Sequence, residues 1–435
     1  MEYSLDFIRI VYLPKKQQIM KNILIVQNYN LNKGDSSVAC AMIDVLQDHD
    51  VNLSITSYIP EIATQEYNIN AYEWLVSYRK AKFAKSPIQK ILFLLQEILW
   101  VNYSLIWLLL KKIGTSLWIP ANKRQTIKAY LNADLVVLTG GHHYTNFNNF
   151  PTNFSHIWAM FFAQQLNKKT MMYAQTVGPF FGKWGRLTRY LTNIIIKKTD
   201  VVTLRESDSL KNCNGMNVFV TAESVFALQT KMELADDINI LKQIRQKKKK
   251  IVGMTIHHIY YKHFYSKQEY ISRMKDIIND IIDNYDCNVL LVPMESNRVI
   301  YNDRHLAQEI KELLNQPDQF LIIEDEYISI VIAAIIAHTD IFIGTKTHSI
   351  VYGLKGLVPT ISISYQQKST EFMKMFGFEE NVITLKDLNI KKFQTIFDRV
   401  YHNLQDIRNK QEKAYEEIKE KSLLNKVYAF QLLSN

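Results

Sequence analysis

The sequence predicts an α/β protein built from two parallel-sheet halves, and three observations carry that expectation. Short apolar runs alternate with helix-length stretches. The alternation stops at a polar, charge-rich segment after residue 229 and restarts at residue 251. Several apolar runs also end in polar loops that contain glycine, the pattern of strand–helix–strand units. With 435 residues, 47% hydrophobic and 22% charged, the chain exceeds one ordinary core, so two domains are expected.

Strands are expected at residues 23–26, 135–138, 170–174 and 201–204 in the first half. The second half repeats the rhythm at 251–256, 289–293, 321–323, 341–344 and 360–364. These place a first domain at 20–229, a linker at 230–250 and a second domain at 251–400. Residues 401–435 mix charges and apolar residues at helical spacing, with Glu417 four positions before Lys421, and read as a surface helix. Met20 stands directly before Lys21 and the first apolar run, so residues 1–19 read as an appendage.

A net charge of +10 favours anionic partners. The most basic run, 245–250, has no interleaved aromatics and falls in the linker, so it reads as solvated chain rather than a nucleic-acid face. Cys40, Cys213 and Cys287 have no metal-ligand spacing and fit free thiols in a reducing compartment. Glu2 and Asp6 stand where an export signal would be basic, so a cytoplasmic enzyme is expected. Residues 91–110 are strongly apolar but broken by Gln96, Glu97, Asn102 and Ser104. Lys82, Lys85, Lys90, Lys111 and Lys112 flank this run and Trp100 and Trp107 lie inside it. Residues 85–119 therefore fit either peripheral contact with an anionic membrane or a buried helix pair.

Residues 343–356, IGTKTHSIVYGLKG, carry the strongest local signal: a buried strand turns at Gly344 into a helix that starts near Thr347. Free backbone N–H groups and the positive helix end would converge there, with Lys346, His348 and Ser349 beside them. Tyr365 and Lys368 follow the next strand, at the edge where parallel sheets place ligands. In the first half, residues 27–46 follow the first strand with Gly34 and Asp35 at a helix start. This is neither a dinucleotide fingerprint nor a phosphate-loop motif, so no nicotinamide cofactor or nucleotide hydrolysis is expected. Gly140 and Gly141 end a later strand beside His142 and His143, whose adjacency does not suit a metal site. Gln175 and then Arg205 stand at further strand ends, the latter with a fork suited to phosphate or carboxylate, and Glu223 lies on the next such loop.

In order, these pieces resemble the polysaccharide pyruvyl transferase family: a Gly–Asp loop, a Gly–Gly loop, Gln–x–x–Gly–Pro, Arg–Glu–x–x–Ser, an acid near Phe226, and a histidine helix start followed by Pro359, Tyr365 and Lys368. The resemblance runs from about residue 22 to 380. It implies two Rossmann-like domains facing across a cleft, similar to glycosyltransferases of the B type. It also implies phosphoenolpyruvate as donor, a glycan as acceptor, free or lipid-linked, and no cofactor or metal. The family's donor-site arginine and histidine map onto Arg205 and His348. Lys346, Ser349, Tyr365 and Lys368 would line the donor side, while Gly34, Asp35, Gly140, Gly141, His142, Gln175 and Glu223 complete the site toward the sugar. Three departures stand out: Lys346 replaces an arginine, His142 a third glycine and Glu223 an aspartate. A nucleotide-sugar glycosyltransferase and an inactive glycan-binding scaffold remain alternatives on the same fold.

Overall fold

The computed structural model describes residues 20–30, 32–77, 81, 84–115, 117–146, 149–246, 248–258, 260, 264–295, 302–365 and 367–434; the expected extension 1–19 lies outside them. The first sheet has eight strands in the order β3-β2-β1-β4-β6-β7-β8, with β5 paired to β6, and every pairing is parallel. Its strands are β1 (Lys21–Asn28), β2 (Val51–Ser57), β3 (Asn70–Glu73), β4 (Leu135–Leu138), β5 (Gly141–Tyr144), β6 (Lys169–Val177), β7 (Val201–Leu204) and β8 (Val218–Val220). The second sheet is also parallel, in the order β11-β10-β9-β12-β13-β14. It comprises β9 (Ile251–Met254), β10 (Asn288–Leu291), β11 (Phe320–Ile322), β12 (Ile341–Gly344), β13 (Thr360–Ser364) and β14 (Val382–Thr384). Both sheets are doubly wound, and their central strands are buried along their whole length because helices cover both faces.

In the first domain one face of the sheet is covered by α1 (Lys33–Leu46) and α2 (Pro60–Tyr67), whose apolar residues join the core of the second domain. The other face is covered by α3 (Pro87–Lys112), α4 (Ala121–Asn132), α5 (Phe150–Gln165) and α6 (Gly182–Lys198). Residues 85–119 are thus mostly one helix, not a pair. Only its inner edge is buried, with Trp100, Trp107 and Glu97; Glu97 accepts from Ser77 N at 3.1 Å and stands 3.6 Å from Lys123 Nζ. The segment 230–250 is more than a linker: it holds α7 (Asn239–Gln246), whose Leu241 and Ile244 are fully buried.

In the second domain the connections are α8 (Lys267–Tyr285), α9 (Asp303–Lys311), α10 (Ser329–Ala337), α11 (Thr347–Lys355), α12 (Gln367–Met375) and α13 (Ile390–His402). The chain ends in α14 (Leu404–Ser434), which corrects the surface-helix expectation. Charged residues mark only its outer side. Its inner side buries Gln411, Ile418, Ser422, Asn425 and Ala429, and runs across both domains. Gln411 Nε2 donates to the carbonyls of Gly353, Leu354 and Val358 in the second domain. Ser422 Oγ donates to Glu223 O in the first, and Asn425 Oδ1 accepts from Thr203 Oγ1 and Thr221 Oγ1. Replacing Asn425 by alanine removes the acceptor shared by Thr203 and Thr221 and the Nδ2 donor to Ala222 O, so Asn425→Ala is expected to lower stability by about 1–3 kcal/mol, read as a lower urea midpoint.

Candidate functional site

The carboxyl edge of the first sheet is shaped by two kinks. Gln27 on β1 and Ala174 on β6 adopt positive φ of 70° and 44°, beside irregular register in both strands. Such strained non-glycine residues gather where backbone must be re-aimed. The kink in β6 is held by Thr203 Oγ1, which accepts from Ala174 N at 2.8 Å. Beyond it Gln175 is fully buried; its Nε2 donates to Thr139 O and its Oε1 stands 3.2 Å from His143 Nδ1. Gln175 thus fixes the Gly140–Gly141 loop and the ring of His143.

Arg205 leaves β7 at this edge and is almost completely buried. Its Nε donates to Thr176 Oγ1 at 2.7 Å and lies 3.4 Å from Glu206 Oε2, while Nη1 donates to Glu223 Oε2. Burial opposes its charge, but Glu223 and Glu206 outweigh that and hold its pKa above the ordinary value. The last nitrogen, Nη2, is buried with no hydrogen-bond partner. A guanidinium with one side fastened and the other bare is oriented for an incoming oxyanion.

His348 approaches from the other domain, in the first turn of α11. Gly344 permits the tight turn out of β12, since a Cβ there would lie 2.5 Å from Ile350 Cγ1. The imidazole packs flat against Gly34 at the start of α1, where an added Cβ would stand 2.2 Å from Nδ1 and 2.7 Å from Cγ. Asn32 caps α1 by accepting from Gly34 N at 2.8 Å, and Tyr352 Oη donates across the interface to Lys33 O at 3.2 Å. The starts of α1 and α11 therefore meet, bringing two positive helix ends together. His348 Nε2 is buried and has no hydrogen-bond partner.

Lys368, in the first turn of α12, completes the cluster. Burial first and then Arg205 push its pKa down to about 7, against Glu206, Glu223 and Asp35. Burial, with Arg205 and Lys368, lowers His348 to about 4 although Glu223 opposes. Lys368 above all, then burial and Arg205, holds His142 well below the usual histidine range. Burial would raise Glu223, but Arg205, His348 and Lys368 keep it ionised below its ordinary value. The site thus sets Arg205 and a partly charged Lys368 against the carboxylates of Glu223, Glu206 and Asp35, with His348 and His142 left neutral near pH 7.

Arg205, Glu223, His348, Lys368, His142, Asp35, Gly34 and Gly140 come together in this way. Lys346 does not join them: Asp303 holds its ammonium at 2.8 and 3.1 Å, and Glu295 lies 3.7 Å away. Ser349 is fully buried, donating to Lys346 O and meeting Thr255 Oγ1, as a helix-start residue does. Tyr365 packs on His257 and Tyr260 in the second domain. His257, His258 and Glu295 could meet at an ion, but the Lys346 ammonium already stands by Glu295. Sequence reasoning missed Thr176, which fastens Arg205, and Tyr29, Trp74 and His156, which line a small cavity with Asp35, Gly140 and His142. The Asn–Tyr–Asn run at 28–30 gave a faint signal for Tyr29; nothing marked Trp74, which arrives from beyond β3.

The family model described as Polysaccharide pyruvyl transferase matches residues 32–367. Amylovoran biosynthesis protein AmsJ of Erwinia amylovora is 23% identical over 424 residues, covering 94% of this chain and 98% of that protein. Among solved structures, UDP-GlcNAc 2-epimerase from Neisseria meningitidis is similar with a TM-score of 0.59 at 15% identity, covering 96% of this chain and 100% of the other. A glycosyltransferase from Rickettsia africae ESF-5 gives 0.54 at 14% identity, covering 96% and 99%. At such identities these structures establish the fold: two parallel-sheet α/β domains of the glycosyltransferase B kind.

The Gly34–His348 contact is directly testable. Gly34→Ala puts a methyl group into the imidazole, so the ring must leave its place; stability is expected to fall by about 1–3 kcal/mol. Turnover should fall at least about tenfold in protein that remains folded by circular dichroism. Wild-type turnover in Gly34→Ala would show that the ring position does not matter.

Proposed function

We propose that this chain, which belongs to the polysaccharide pyruvyl transferase family, transfers the pyruvyl group of phosphoenolpyruvate to hydroxyls of a glycan and closes a pyruvate ketal. Family membership makes it a glycan-modifying enzyme, a transferase. The observation that favours this donor is the pair of bare nitrogens, Arg205 Nη2 and His348 Nε2, buried on opposite domains beside Lys368. The charge of Arg205 lowers the pKa of His348, and a small anion with a carboxylate and a phosphate would satisfy both. The likeness to an amylovoran biosynthesis protein supports a place in polysaccharide biosynthesis, and the chain is expected to work in the cytoplasm.

In this reading the open side of the Arg205 fork and Lys368 take the donor's carboxylate and phosphate, with the starts of α1 and α11 adding their N-terminal field. The arriving negative charge raises the pKa of His348, so that the imidazolium becomes available as general acid. It protonates the donor's methylene carbon, C2 becomes electrophilic, and an acceptor hydroxyl adds there while releasing its proton. Phosphate then leaves with the C2–O bond, and a second hydroxyl closes the ketal and loses its own proton. Asp35 and His142, which line the cavity with Tyr29 and Trp74, stand on the acceptor side.

Two outcomes are expected. With phosphoenolpyruvate and a glycan acceptor the protein should release inorganic phosphate, and His348→Ala should lower kcat about 10²–10⁴-fold with saturating donor. Release of a nucleoside diphosphate from a sugar donor instead would replace this reading. Second, binding should take up protons. The Lys368 pKa of about 7 means that its ammonium is half formed near neutrality, and a dianion favours the charged form. Donor affinity should therefore weaken about tenfold per pH unit above pH 7 until the pKa of the bound state is reached. Calorimetry at pH 7.5 in buffers of different ionisation enthalpy should show net proton uptake, and Lys368→Met should abolish most of it. Proton release on binding would contradict the assignment.

A further inference from the structure

The outer face of the first domain carries an apolar surface that the transfer site does not use. Ile88, Ile91, Leu92, Leu95, Leu99 and Leu109 form one stripe along α3, and each is at least 51% exposed. On α6, Phe181, Trp184 and Tyr190 are about two-thirds exposed. The two helices flank α5 on the same side of the sheet. Trp107 of α3 stacks on Phe162 at one end of α5, and Trp184 of α6 packs on Phe150 at the other, 5.0 Å between ring centroids. A ladder of Phe150, Phe154, Trp158 and Phe161 joins those ends.

The charge on this face has one sign. The only acidic residue in α3 and α6 is Glu97, which is buried beside Lys123. Lys90, Lys111 and Lys112 are exposed near the two ends of α3, where Lys111 lies over the Trp107 ring and Lys112 donates to Gln165 Oε1, and Lys183, Arg186 and Arg189 are exposed on α6. An isologous dimer through this face would set cations against cations. An anionic lipid leaflet instead accepts both parts: apolar side chains enter the acyl boundary while lysine and arginine reach the headgroups. The 26-residue α3 is long and apolar enough to cross a bilayer, but its inner edge is committed elsewhere. Trp100 Nε1 donates to Leu75 O at 2.8 Å and Glu97 is paired, so crossing would drag a carboxylate into lipid. The helix is built to lie on a surface.

The position of α6 links this face to the cleft. It begins three residues after Pro179, and Gly178 and Pro179 line an interdomain cavity with Thr176, Glu206, Lys368 and Phe372. We propose that α3 and α6 form a docking face for an anionic leaflet, and that the glycan enters the cleft while still attached to a lipid anchor held in that leaflet. The docking half stands on geometry and charge alone; the acceptor half rests on the pyruvyl transfer reading above.

Flotation of the full-length protein with vesicles separates the two halves. Binding is expected to vesicles of phosphatidylcholine carrying phosphatidylglycerol and to be at least about tenfold weaker to phosphatidylcholine alone. Trp184→Glu and Leu95→Glu, both at exposed positions, should each weaken vesicle binding about tenfold or more, and Lys183→Glu with Arg186→Glu should remove the preference for anionic lipid. Equal binding to both vesicle types, or no effect of these substitutions, overturns the docking face. So does a stable dimer in light scattering that Trp184→Glu dissociates and that binds no vesicle. For the acceptor, Trp184→Glu should leave transfer to a soluble oligosaccharide unchanged while slowing transfer to a lipid-linked glycan in vesicles. Equal slowing on both acceptors overturns a lipid-anchored acceptor. Vesicle binding without transfer to either acceptor would instead sink the proposed activity and leave the docking face standing.

Discussion

A buried arginine sets the terms for the rest of the site. Taking a guanidinium out of water is costly unless charged partners meet it, and Arg205 is met by Glu223 and Glu206 with Thr176 completing the hydrogen bonding. Those partners fix the fork on two sides and leave Nη2 without a hydrogen-bond partner, an arrangement that favours an anion at that nitrogen. Glu223 therefore has a structural charge: without it the buried arginine would keep Glu206 alone as a charged partner, beside Lys368. Its position after β8 is in turn fixed from outside the sheet, by the bond from Ser422 to its carbonyl.

The depressed pKa values of His348, Lys368 and His142 follow from the same crowding. Four basic groups share the cleft with three acids, and the site settles by keeping protons off the weaker bases. An arriving dianion changes the balance at each of them in the same direction. In the proposed reaction, protonation of His348 is thereby coupled to donor binding, which suits a first step that delivers a proton to carbon.

Much of the architecture was legible because buried parallel strands leave continuous apolar runs, as in residues 135–138 and 341–344, followed by glycine turns. Arg205, His348 and Lys368 were legible for the same reason, since each stands just past a strand end. Lys346 shows the limit. Its place two residues before His348 gave no sign of whether the side chain would turn to the cleft or to Asp303, 43 positions away in sequence on another helix. Trp74, Thr176 and the inner side of α14 were equally hidden, because their roles are defined by partners that only the tertiary fold supplies. The charge-rich outer side of α14 masked a row of small and polar residues, Ser422, Asn425 and Ala429, that lets the helix approach the backbone closely.

That approach bears on the proposed reaction, in which Arg205 and His348, from different domains, must be held at a close separation for one small donor to touch both. Nothing local to either strand end supplies that precision. α14 does: Gln411 grips carbonyls at the end of α11, whose first turn carries His348, while Asn425 and Ser422 grip the strand and loop on either side of Arg205. The two grips are 14 residues apart on one helix, about 21 Å along a rigid axis. Direct contacts add to this gauge, with Phe226 packed on Phe372 and Phe376 and Tyr352 bonded to Lys33 O. The cores of the two domains merge through these residues into one cluster. A fold of this kind admits hinge motion in principle. Here an opening that separates His348 from Gly34 works against the α14 grips on both domains, so in the proposed reaction donor affinity and the stability of the domain interface are linked through the same hydrogen bonds.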